Sequence, residues 1–142
     1  MSVSVRDRTR LAVVVVALVV LGCGAAASSS SAVQAAPIAV TETDNGRTLT
    51  VARGGQLVVT LHSTYWTFGG SSNSAVLQEV GQPVASPGSC PPGVGCGQVS
   101  ATFIAVQQGR ADVTASRSSC GEALSCTGGA GRYRVSVVVG TP

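Results

Sequence analysis

At 142 residues, 44% hydrophobic and only 11% charged, the chain holds one ordinary domain besides any leader. The formal net charge of +3 owes much to the first ten residues: from Cys23 onward, six arginines (47, 53, 110, 117, 132 and 134) face five acids (Glu42, Asp44, Glu79, Asp112 and Glu122). That near-neutral remainder, with no basic stripe interleaved with aromatics, argues against a nucleic-acid partner.

In chain order, Arg6, Arg8 and Arg10 make a positive n-region and Leu11 to Leu21 an apolar h-region. That run is about half of the ~20 residues needed to span a bilayer, so a cleaved segment is expected over residues 1–22 rather than a membrane helix. The next element, Val20-Leu21-Gly22-Cys23, resembles the lipobox of bacterial lipoproteins: two aliphatics, a small residue and the cysteine whose thiol takes the lipid. Ordinary cleavage at Ala25-Ala26-Ala27 is the competing outcome. Lipidation of Cys23 implies an exported protein held at the outer face of the cell membrane, its domain left in solvent. Residues 24–37, rich in alanine and serine, bury too little to fold and are expected to act as a flexible tether behind the lipidated cysteine.

From Ile38 onward every segment reads as strand. Ile38–Thr43 alternates apolar and polar residues, and Asp44-Asn45-Gly46 signals a turn before Thr48–Val51. Gln56–Leu61 puts Leu57, Val59 and Leu61 on one face, and a short aromatic strand is expected over Tyr65–Phe68, then another over Ala75–Val80. Ser100–Val106 and Arg110–Ser116 flank the tight turn Gln107-Gln108-Gly109, and Arg132–Val139 points Tyr133, Val135, Val137 and Val139 inward. Period-two alternation with short glycine-rich turns predicts an all-β, two-sheet sandwich over residues 38–142.

Five cysteines leave four once Cys23 is assigned to the lipid: Cys90, Cys96, Cys120 and Cys126, two pairs of equal spacing in Gly/Ser/Pro-rich segments. An oxidising compartment favours disulfides, and local pairing, Cys90–Cys96 and Cys120–Cys126, is preferred over cross-pairing. A zinc site of four thiolates is the rival arrangement, disfavoured by the wide spacing.

The segment from Asn45 to Val51, then Gly54 to Leu61, is similar to the opening of chagasin-like cysteine-protease inhibitors. Phe103 to Val106, Gly109 and Ala111 to Ala115 resemble that family's fifth and sixth strands, and generic bacterial Ig-like domains as well. The resemblance implies a seven-stranded immunoglobulin-like fold with three loops at one end, which in that family plug a papain-like protease's cleft. In the first loop Ser63 and Thr64 keep the hydroxyl pair and Trp66 and Phe68 keep two aromatics, while Tyr65 stands at the family's glycine. The second loop spans 81–99 and is glycine-rich; in the third, 117–131, Arg117 matches the family arginine, but Ser118 and Ser119 replace its proline and tryptophan.

Trp66 and Phe68 are expected in the core, with a ligand platform as the alternative. His62 is the only histidine and no nucleophile elbow occurs, so no catalytic residue, metal or cofactor is expected. The candidate partner-binding residues are Ser63, Thr64, Tyr65, Arg117 and Glu122, on loops that disulfides would stiffen. The function expected is binding of a protein partner, a papain-like cysteine protease being the class that the resemblance implies. A structural or assembly lipoprotein of the envelope is the alternative.

Overall fold

The computed structural model describes residues 35–91, 93–121 and 124–140; residues 1–34, with the leader, Cys23 and most of the tether, and also Glu122, lie outside the described residues. Eleven strands follow in order: β1 (Ile38–Val40), β2 (Thr48–Ala52), β3 (Gln56–His62), β4 (Thr67–Ser71), β5 (Leu77–Glu79), β6 (Val84–Pro87), β7 (Gly97–Ala105), β8 (Gly109–Ser116), β9 (Ser119–Gly121), β10 (Leu124–Ser125) and β11 (Arg132–Gly140). One sheet runs β1-β3-β7-β5, with β6 also pairing β7; the other runs β2-β11-β8-β4; β9 and β10 form a separate hairpin. The architecture is all-β and sandwich-like, as the alternation predicts.

Alternation decides which faces meet. Leu57, Val59 and Leu61 of β3 are buried with Val99, Ala101, Phe103 and Ala105 of β7. They join Ala111, Val113 and Ala115 of β8 and Tyr133, Val135, Val137 and Val139 of β11 in one core cluster. Each fully buried Val, Leu or Phe contributes roughly 1.5–3 kcal/mol, so a register slip of one residue, which turns this whole set outward, is strongly disfavoured.

The structure departs from the expected strands at four places, each for a local reason. Beyond Val40 the chain leaves the sheet, because the Thr41 hydroxyl accepts from the Thr43 N–H and the Asp44 carboxylate accepts from the Thr41 N–H at 3.0 Å, a capping box over a 3-10 turn at Glu42–Asp44. This turn carries the chain from the first sheet at β1 to the second at β2, where β2 runs parallel to β11. The aromatic strand begins at Thr67, since Tyr65 and Trp66 hydrogen-bond within and between loops instead. Ala75 and Val76 are held in an Asn73-centred turn, so β5 starts at Leu77. Within 81–99, β6 pairs along Gly97–Ser100, although it is exposed on both faces and offers no alternation to read.

Tyr133, 2% exposed, carries its hydroxyl into the core without a hydrogen-bond partner among the described residues. Burial, followed by the charges of Asp44 and Glu42, pushes its phenol up to about 12 from the usual 10.0. An unfolded chain ionises this group first. The stability it contributes is complete below pH 10 and is lost as pH rises through about 12. Tyr133→Phe should therefore keep the unfolding free energy read from a urea curve or raise it by up to about 1 kcal/mol, and remove this alkaline loss. A clear drop in stability at pH 7 would show that the hydroxyl does have a partner.

Candidate functional site

Three loops meet beyond the ends of β3, β7 and β8. The first, after His62, continues the β3–β7 ladder past the strands: Ser63 N–H donates to Gly97 O at 2.8 Å and Thr64 N–H to Gly95 O at 2.9 Å. Ser63 sits at φ 105°, a region that side-chain-bearing residues rarely adopt, and its hydroxyl accepts from the Tyr65 N–H at 3.2 Å. The loop thus turns sharply and lays Tyr65 against the second loop, where its hydroxyl donates to Gly93 O. The fit requires glycine at 95: a Cβ there would lie 2.1 Å from the Tyr65 ring, at φ +66°.

The second loop is closed by the Cys90–Cys96 disulfide and the third by Cys120–Cys126, the local pairing expected from the spacing. With all four thiols bridged, a thiolate zinc site is not formed. Among the described residues no cluster of three or more histidines, cysteines and acids is placed to hold a metal. At the base of the third loop Arg117 N–H donates to Gly131 O and Cys126 N–H to Ser118 O, both at 2.9 Å. Gly131 lies so close that a Cβ would sit 2.4 Å from Arg117 O.

Trp66 joins the first loop to the third. Its ring is buried at 5% exposure, its indole N–H donates to His62 O at 3.0 Å, and the Arg117 guanidinium lies 4.5 Å from the ring centroid. Trp66 is thus core on one side and a cation platform on the other, with Phe68 half-buried against the same core. The loops enclose a cleft of about 370 Å³ lined by His62 and Ser63 from the first, Val94 and Cys96 from the second, and Arg117 and Cys120 from the third. A second hollow of about 210 Å³ lies between Glu42, Trp66, Arg117 and Tyr133. A further depression, of about 590 Å³, lies over Thr67, Thr114, Ser116, Arg132 and Arg134 and draws on neither stapled loop.

Of the sequence-chosen residues, Ser63, Thr64, Tyr65 and Arg117 are brought to this end, while Glu122 lies outside the described residues. The sequence reading missed Glu42. Its carboxylate accepts from the His62 backbone N–H and pairs with His62 Nδ1 at 3.0 Å, tying the 3-10 turn to the end of β3. Burial pushes the Glu42 carboxyl up, but hydrogen bonds from the His62 ring and from the Glu42 and His62 backbone outweigh it, and the net shift is downward. Twenty residues separate the two, so no local motif announces the pair.

No family model and no curated protein sequence matches this chain. Among solved structures, that of Amebosin is similar with a TM-score of 0.53 at 17% identity, over 75% of this chain and 100% of that one. The cysteine protease inhibitor EhICP2 from Entamoeba histolytica is similar with a TM-score of 0.52 at 12% identity, over 73% of this chain and 95% of that one. At these identities what is shared is the fold.

Trp66 is the chain's single tryptophan, so its fluorescence reports this end alone. Gly95→Ala forces the Tyr65 ring aside and should shift Trp66 emission while lowering stability by about 1–3 kcal/mol, read from a urea curve. Unchanged emission with an unchanged midpoint would show that the first and second loops are not locked together.

Proposed function

We propose that this domain is a binding module displayed at the cell surface by a lipid on Cys23, and that its three-loop end engages a protein partner, a papain-like cysteine protease first among the classes to test. The observation that carries the reading is the convergence of three loops on one cleft, two of them closed by disulfides. Stiffened loops lose less entropy on association, and the aromatic and arginine side chains gathered here are the types that dominate interface energetics. The similarity in fold to a cysteine protease inhibitor supports the choice of protease class. Departures at the third loop, Ser118 and Ser119, shift the burden of contact to Tyr65 and Arg117.

The compact unit spans Val33–Pro142 and contains the whole buried core, so residues 33–142 carry the test. Titrated in oxidised form against a panel of papain-like proteases, they should inhibit competitively, and Tyr65→Ala should raise the inhibition constant about tenfold or more. No inhibition at micromolar concentration would end the protease reading and leave an envelope assembly role as the one to pursue.

A further inference from the structure

Arg117 is unusual among the six arginines beyond Cys23. Its guanidinium is stacked on Trp66 at 4.5 Å, yet its side chain donates no hydrogen bond and makes no salt bridge among the described residues, and its Nε is buried without an acceptor. Arg47 and Arg134 are paired with Asp44 and Asp112, Arg53 donates to Val106 O and Arg110 to Thr48 Oγ1; Arg132 also has no side-chain partner among the described residues, but it is exposed and lies over no ring. That Nε is closed to solvent, so an incoming acceptor can meet the guanidinium only through its terminal N–H groups, which make no hydrogen bond among the described residues.

We infer that Arg117 is a preformed receptor for a single carboxylate presented by the partner. This rests on the reading of the three-loop end as a binding surface and names the chemistry that surface selects. Three features point to it. The Trp66 ring 4.5 Å away restrains the guanidinium before binding, and a planar N–H fork is the geometry that pairs bidentately with a carboxylate. Arg117 lines both hollows at this end, and the larger, of about 370 Å³, is walled by Ser63, Val94 and Cys96, with no carboxylate among its described lining residues. Glu42 lines the smaller hollow; burial pushes its carboxyl up, but hydrogen bonds and the His62 charge outweigh this and leave it lowered, hence ionised at neutral pH. A monoanionic carboxylate meets less repulsion from it than a dianionic phosphate does. The carboxylate can come from an Asp or Glu side chain or from a chain's C-terminus, and the experiment separates these.

Residues 33–142 are titrated with three N-acetylated pentapeptides, Gly-Gly-Asp-Gly-Gly-amide, its Asn counterpart and pentaglycine with a free C-terminus, and with inorganic phosphate. Trp66 emission and the Arg117 Nε–H resonance are followed. The expected result is saturable change with the Asp peptide or the free C-terminus, whichever the cleft admits, at least about tenfold weaker with the Asn peptide and with phosphate. Arg117→Lys keeps the charge without the planar fork and should weaken binding about tenfold while near-UV circular dichroism remains native. Equally tight saturable binding of the Asp and Asn peptides, phosphate binding as tight as the carboxylate, no response to any probe, or full binding by Arg117→Lys would each overturn the inference. Because no protease is present, a carboxylate response without protease inhibition retains the receptor and removes only the protease class. Inhibition unaffected by Arg117→Lys retains the protease reading and removes the receptor.

Discussion

Two nine-residue strands, β7 and β11, bury every second side chain, and the rest of the molecule is arranged around that pair of faces. β7 receives β3 on one edge and β5 and β6 on the other, while β11 receives β8 and β2. Phe103 and Leu57 on one side and Val113, Val135 and Val137 on the other are fully buried in a single cluster. Because period-two alternation assigns each residue to one face, outward positions on these strands are free to be polar, and the strand ends are free to carry loops of any chemistry.

That freedom is used unevenly at the two ends. Where β3, β7 and β8 terminate, their hydrogen bonding does not stop. It passes into the loops through Ser63–Gly97, Thr64–Gly95 and Arg117–Gly131, so the loops are extensions of the sheets. Disulfides then close the two longer loops locally, each across a sequence separation of 6. In the chain-entropy model so short a closure stabilises by roughly 2 kcal/mol, and its main consequence is local: the loop populates few shapes. Close packing at Gly95 and Gly131 completes the restriction, since each position admits no side chain.

The outcome is an end whose geometry is set before any partner arrives. Trp66 belongs at once to the core and to the surface, because its indole N–H is satisfied inside by His62 O while one ring face carries Arg117. The Glu42–His62 couple holds the sheet-switching turn against the same region. Each interaction is modest alone, an exposed ion pair especially so, but all constrain one small group of atoms. A fold of this kind hosts many functions, so the functional reading rests on this group of atoms and not on the sandwich.

Ile38 to Val139 carries an alternating pattern plain enough to declare the β architecture, the inward faces of β3, β7, β8 and β11, and a turn signal at Asp44–Gly46, though not the switch of sheet that the Glu42–Asp44 turn makes. Equal spacing of the four cysteines favoured local pairing over cross-pairing, because short loops meet their own ends first, and the structure closes both loops locally. Strand limits at Val40, Thr67 and Leu77 were not legible, since side-chain hydrogen bonds from Thr41, Ser63 and Asn73 compete there with the sheet, and β6 has no buried face to leave a period. Ser63, Thr64, Tyr65 and Arg117 could be chosen from loop position and family likeness. What joins them could not: the Trp66–Arg117 stack, the Tyr65–Gly95 contact and the Glu42–His62 pair span distant segments. The sequence by itself determined the periodic faces and the local staples, because both depend on near neighbours. Only the tertiary structure decided the cleft and Arg117's unanswered donor, because those arise when sheet pairing brings together loops that have no local knowledge of one another.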